Sequence, residues 1–106
     1  MLIAIFITIG TACAVIDSSE PRTHLIEIKQ LRFSPDVIAV KPGDKVTWVN
    51  HDFVPHSATA MDQSWDTGMI SQGESRSLVI TRALELRYFC LYHPSMQAQL
   101  KIQKPK

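Results

Sequence analysis

The sequence predicts an all-β fold, a Greek-key β-sandwich of seven or eight strands. Short runs rich in β-branched and large apolar residues recur between turn signals, and no stretch sustains a helical period. Several of these runs alternate apolar with polar residues, the pattern of a strand buried on one side only. With so many short strands inside residues 24–106, packing two sheets face to face is the arrangement that covers every apolar side.

Residues 25–33 are apolar and β-branched and predict the first strand. Residues 36–40 predict a second, ended by Lys41-Pro42-Gly43-Asp44, a turn by its Pro and Gly. Residues 45–50 alternate and place Val46 and Trp48 on one face. A loop from His51 leads to His56, and residues 57–61 predict another strand. Trp65-Asp66-Thr67-Gly68 and Ser71-Gln72-Gly73 read as turns. Residues 74–80 alternate again, with Arg76, Leu78 and Ile80 opposite Ser75, Ser77 and Val79. Leu86, Tyr88 and Cys90 share one parity, as do Ala98, Leu100 and Ile102 on the last strand. Trp48 and Tyr88 fall at core positions and read as packing.

A chain of 106 residues is one domain. Eleven Lys and Arg stand against ten Asp and Glu, with no block of one sign, which argues against nucleic acid or a polybasic membrane contact. Residues 1–14 carry no charge and hold an apolar run at 2–9, well short of the ~20 residues a membrane span needs. Small residues follow, with Ala12-x-Ala14 as a cleavage site, so this stretch reads as a secretory signal. Residues 15–23 read as a polar linker and 24–106 as the folded domain. The expected location is outside the cytoplasm, in a bacterial periplasm, with no membrane span in the mature form. A lipid anchor on Cys13 is the alternative, against which Gly10 stands where an aliphatic residue is usual. With Cys13 lost or lipidated, Cys90 is a lone thiol in an oxidising compartment, a liability that metal ligation removes.

Cys90-Leu91-Tyr92-His93-Pro94-Ser95-Met96 sets a thiolate, an imidazole and a thioether at steps of three on one loop. A second imidazole is available at His56 in Val54-Pro55-His56-Ser57, where Pro55 stiffens the loop. Two imidazoles, one thiolate and one weak thioether are the donor set of a blue-copper electron-transfer site. Sulfur suits Cu(I) and nitrogen suits Cu(II), so the mixed set serves both. Taken singly, Cys90 reads as an inert buried thiol and His93 as an ordinary imidazole. Zinc would not require Met96, and a catalytic Cys–His pair would need a third, orienting group that the motif does not supply. His51 and His24 read as solvent-exposed, and Met61 and Met69 as core or loop filling.

Phe33-Ser34-Pro35, the run Val40-Lys41-Pro42-Gly43-Asp44-Lys45-Val46-Thr47-Trp48-Val49-Asn50, Pro55-His56-Ser57, Trp65-Asp66-Thr67-Gly68 and Tyr88-Phe89-Cys90-x-x-His93-Pro94-x-Met96 resemble the cupredoxin, or blue copper, family. The resemblance covers most of residues 25–103 and is plastocyanin/azurin-like. The two-residue gap between His93 and Met96, with Pro94 after His93, resembles the amicyanin ligand loop. The resemblance implies one type 1 copper ion held by His56, Cys90, His93 and Met96, with Met96 as the long axial ligand. It implies that the His93 ring lies at the surface in an apolar patch to which Leu91, Tyr92 and Pro94 contribute, where redox partner proteins dock. Pro94 has no N–H, so the Ser57 backbone is the expected donor to the Cys90 sulfur. Gln97-Ala98 after Met96, where glycine is common, and the bulky Leu91-Tyr92 depart from the family pattern. The expected function is a small monomeric carrier that moves one electron between partners and catalyses nothing itself. The alternative is a periplasmic copper-binding module for storage, delivery or tolerance. A binuclear copper domain would need a second loop cysteine, which is missing.

Overall fold

Eight strands build the domain: β1 (Thr23–Lys29), β2 (Arg32–Ser34), β3 (Val37–Val40), β4 (Lys45–Asn50), β5 (Thr59–Ala60), β6 (Ser75–Val79), β7 (Arg87–Phe89) and β8 (Gln97–Ile102). The computed structural model describes residues 20–104 and the isolated position 4. The expectations for a signal segment at 1–14, for Cys13 and for most of the linker at 15–23 rest on residues outside these. Two four-stranded sheets form, ordered β2-β1-β4-β6 and β3-β8-β7-β5. The pairs β1/β4 and β3/β8 are parallel and the others antiparallel. The chain crosses repeatedly between the sheets, as the all-β sandwich expectation requires. Among the described residues no helix is long and apolar enough to cross a membrane.

The expected single strand at 25–33 is instead a hairpin. Lys29 pairs with Arg32, so the turn is Gln30-Leu31, with φ of 54° and 58°. Positive φ at both central residues is the two-residue turn that matches strand twist, and it ordinarily carries Asn-Gly. No such signal stands at Gln30-Leu31, so the apolar run reads through the break. The turn forms because the Asp52 carboxylate accepts both turn N–H groups, from Gln30 at 2.8 Å and Leu31 at 3.0 Å. The expected strand at 57–61 shrinks to Thr59–Ala60, because Ser57 and Ala58 are engaged in the site and its supporting loop.

The turn between β3 and β4 forms as its residues predict. The Asp44 N–H donates to the Lys41 carbonyl at 3.0 Å, and Gly43 adopts φ 95° behind Pro42, a type II arrangement. Asp44 itself is buried, and its carboxylate accepts the N–H groups of Arg22 and Lys41, each at 2.9 Å. It also meets His24 Nε2 at 2.8 Å. His24 is thus a half-buried hydrogen-bond partner of Asp44, not the solvated residue expected from sequence.

Parity sets the core. Ile26, Ile28, Val46 and Trp48 of one sheet face Val40, Tyr88 and Leu100 of the other. The Tyr88 ring lies edge-on to Phe33 (4.9 Å between centroids, 69°) and Trp48 (5.5 Å, 81°). Trp65 closes the group at 5.8 Å from both Trp48 and Tyr88. Edge-to-face pairs of this kind add about 0.5–1.5 kcal/mol each beyond area burial. Two buried polar atoms, Trp48 Nε1 and the Tyr88 hydroxyl, have no hydrogen-bond partner among the described residues. Burial pushes the Tyr88 phenol well above its ordinary pKa, so it stays neutral.

Burial alone would raise the Asp44 pKa, but the Arg22 N–H, the His24 ring and the Lys41 N–H outweigh it and hold the carboxyl below its ordinary value. A folded pKa below the unfolded one, ~3.9, stabilises the protein above that value, and the gain disappears as pH falls through the folded pKa. Asp44→Asn is therefore expected to cost about 1–3 kcal/mol at neutral pH. It should also flatten the acid limb between pH 5 and 2, roughly the span over which such a carboxylate protonates. Urea unfolding across that range checks both, and an unchanged acid limb overturns the assignment. Tyr88→Phe removes a hydroxyl with no partner and should leave stability within about 0.5 kcal/mol of the parent, or raise it. A thermal melt showing a large loss would mean that the hydroxyl is bonded after all.

Candidate metal centre

The site forms where two loops meet at one end of the sandwich. Asn50, fully buried at the end of β4, folds the first loop back on itself. Its Nδ2 donates to the carbonyls of Val54 and Ile70, each at 2.9 Å, and its Oδ1 accepts the Asp52 N–H at 2.8 Å. His56 follows and exchanges two backbone bonds with Ile70, at 3.1 and 2.7 Å. This delivers the His56 side chain fully buried.

The second loop runs from Cys90, just past β7, to Met96, just before β8. The His93 N–H donates to the Cys90 carbonyl at 3.3 Å and the Met96 N–H to the His93 carbonyl at 2.8 Å. Each bond closes one four-residue turn, which is why the donors recur at steps of three. The Cys90 N–H then donates to the Met96 carbonyl at 3.0 Å and seals the loop. Cys90 is fully buried, Met96 is buried, and His93 is half-buried.

His56, Cys90 and His93 converge, with one ring nitrogen from each histidine and the cysteine Sγ all within 4.8 Å of one another. Cys90 Sγ is 3.5 Å from His56 Nδ1 and 3.8 Å from His93 Nδ1, and the two imidazoles are tilted at 55° with centroids 4.9 Å apart. A metal bonded at ~2.3 Å to sulfur and ~2.0 Å to nitrogen, at angles near tetrahedral to trigonal, separates sulfur from nitrogen by roughly 3.5–3.7 Å. The triad fits such an ion, and its soft sulfur with two imidazoles fits copper. Met96 lies on the same loop, its backbone bonded to both Cys90 and His93.

Supporting bonds fix the donors. His56 Nε2 is 2.9 Å from Asp52 Oδ2. An ionised carboxylate only accepts, so Nε2 carries the proton and Nδ1 presents its lone pair toward the sulfur. Burial raises the Asp52 pKa, but the Leu31 N–H, the His56 ring and the Gln30 N–H outweigh it, and the carboxyl sits below its ordinary value. The Ser57 N–H donates to Cys90 Sγ at 3.4 Å, as its position beside His56 predicts. The Ser57 hydroxyl accepts the Leu91 N–H at 3.0 Å and lies 2.9 Å from the Thr59 hydroxyl. Thr59 in turn donates to Asp66 Oδ1 at 2.9 Å. The hydroxyls therefore point in one direction, from the Cys90 loop to Asp66.

Sequence reasoning missed Asp52, Asn50, Thr59 and Asp66. Asp and Asn in loops commonly accept backbone N–H groups, but the turn partners of Asp52 lie 21 and 22 residues upstream. His51 is exposed, 3.8 Å from Glu27, and stands apart from the metal triad. Met61 and Met69 are exposed, so neither fills the core. Leu91 and Tyr92 are exposed beside the triad, and Pro94 is exposed with them. The first loop adds Phe53, 90% exposed, and Val54.

Residues 22–103 match the family described as copper binding proteins of the plastocyanin/azurin family. Amicyanin from Paracoccus denitrificans is 27% identical over 84 residues, 74% of this chain and 64% of its own length. The chain thus spans somewhat under two thirds of that relative. A solved structure of the Cu(I) form of an amicyanin mutant superposes with a TM-score of 0.68 at 26% identity, covering 76% of this chain and 82% of that one. The copper-containing nitrite reductase of Thermus scotoductus SA-01 has the same fold in part, with a TM-score of 0.71 at 24% identity, covering 82% of this chain and 24% of that one. The motifs, the two-sheet sandwich, the converged donors and the match across residues 22–103 lead to one conclusion: this chain belongs to the plastocyanin/azurin family of copper-binding proteins.

Proposed function

We propose that the protein is a one-electron carrier in which His56, Cys90, His93 and Met96 would hold a single copper ion. The convergence of two imidazole nitrogens and one sulfur within 4.8 Å carries this reading. Copper so bound supplies reversible exchange between Cu(II) and Cu(I). The chain keeps the donor positions nearly the same in both states. His56 is pinned through both its backbone and its ring, and Cys90 through its N–H, its sulfur and the next peptide. Rigid donors mean little rearrangement when the charge changes, and so fast transfer.

The electron enters and leaves through the half-exposed His93 edge. Leu91, Tyr92, Pro94, Phe53 and Val54 are the apolar surface on which a redox partner protein docks. A fully buried His56 on one side and a half-exposed His93 on the other favour a single exit. In this reading the protein passes electrons between partners and catalyses nothing itself. Its place is outside the cytoplasm, on the signal-like residues 1–14, and it works as a monomer.

The copper-loaded protein is expected to show an intense visible charge-transfer band and a narrow copper hyperfine splitting in its EPR spectrum, both reversible on reduction. Cys90→Ser should abolish the band, and a serine variant with full colour would exclude Cys90 as a ligand. A colourless protein that passes Cu(I) to an acceptor would instead make it a delivery module. Leu91→Lys and Phe53→Lys should leave spectrum and potential unchanged but slow electron self-exchange by roughly tenfold or more, equivalent to about 1.4 kcal/mol. Stopped-flow or NMR line-broadening measurements read that rate, and parent-like rates in both variants would move the docking surface elsewhere.

A further inference from the structure

The Asp52 carboxylate serves two separate parts of the fold at once. Its Oδ1 accepts the Gln30 N–H at 2.8 Å, while Oδ2 accepts the Leu31 N–H at 3.0 Å and the His56 Nε2–H at 2.9 Å. Its own N–H is tied to Asn50 Oδ1 at 2.8 Å, so the side chain starts from a fixed backbone. The side chain is only 16% exposed, and the His56 side chain is not exposed at all.

These contacts act on each other. A left-handed residue with a side chain costs roughly 1–2 kcal/mol, and the turn has two, Gln30 and Leu31. Receiving both turn N–H groups offsets that cost and holds the carboxylate in one orientation. So held, the carboxylate determines the ring. It selects the tautomer with the proton on Nε2, fixes the ring plane, and leaves Nδ1 aimed at the Cys90 sulfur. It also sets a full negative charge against the far edge of that ring, which makes Nδ1 a stronger donor and favours the more highly charged metal state.

We propose that Asp52 is a positioning residue of the copper centre, orienting and polarising His56, with the Gln30-Leu31 turn as its anchor. The proposal rests on the copper-site reading above. The competing role is a turn cap alone, with the His56 bond incidental.

The test uses the full chain and two probes, Zn(II) affinity by chelator competition and the Cu(II)/Cu(I) potential by voltammetry. Asp52→Asn is expected to lower Zn(II) affinity by roughly 10–100-fold and to raise the potential. Asp44→Asn, which removes a comparable N–H-accepting carboxylate away from the site, should lose stability and keep both values. To separate the site from the turn, Asp52→Asn is repeated on a Gln30→Asn, Leu31→Gly background, whose turn residues tolerate positive φ without the cap. This background also keeps the comparison available if the single variant fails to fold. Persistence of the affinity loss and the potential shift on that background supports the proposal. Parent-like Zn(II) affinity and potential there would overturn it and leave Asp52 a turn cap. A parent lacking the visible copper band would overturn the electron-carrier reading, while the Zn(II) comparison would still decide the role of Asp52.

Discussion

The hydrogen bond from the Ser57 N–H to the Cys90 sulfur joins two loops 33 residues apart, and much of the remaining structure keeps those loops in register. A sulfur that is fully buried needs a donor, and here the donor is backbone, which cannot rotate away. The serine hydroxyl engages the same loop from its other side by accepting the Leu91 N–H. Between these two contacts the Cys90 peptide has almost no freedom. The bond also withdraws charge from the sulfur, one of the means by which such sites set their potential.

Polar groups in the loops elsewhere in the domain find partners in a recurrent way. Asp44, Asp52 and Asp66 each direct a carboxylate at loop N–H or hydroxyl groups that the sheets leave unpaired. Each aspartate thus supplies partners to a loop whose N–H groups have none in the sheets, and so favours that loop shape. Asp44 spends this on the turn into β4 and Asp66 on the loop behind Ser57. Asp52 differs in reaching the buried His56 imidazole as well. One kind of interaction thus serves both fold and site.

The exposure gradient across the donors has a mechanical origin. His56 lies in a loop clamped by Asn50 and zipped to Ile70, so its ring is drawn into the interior. His93 sits at the apex of two successive turns with exposed Leu91, Tyr92 and Pro94 around it, so its ring remains near the surface. Buried aromatic rings beneath, Trp48, Tyr88 and Trp65, give the loops a stiff floor.

Side-chain chemistry and short-range periodicity by themselves determined the β-sandwich, the core parity of Trp48 and Tyr88, the turn at Pro42-Gly43 and the three-residue spacing along the loop from Cys90 to Met96. These are legible because each depends on neighbours within a few residues: alternation, a proline beside a glycine, donors at steps of three. Only the tertiary structure decided that Gln30-Leu31 would break an apolar run, that His24 would pair with a buried Asp44, and that Asp52 would join a turn to the His56 ring. In each of these the deciding partner lies some 20 residues or more away along the chain. A left-handed Leu31 is unfavourable on its own, and no local pattern announces it. It becomes acceptable only when the fold brings a distant carboxylate within hydrogen-bond reach, and that proximity exists only after the sheets have formed.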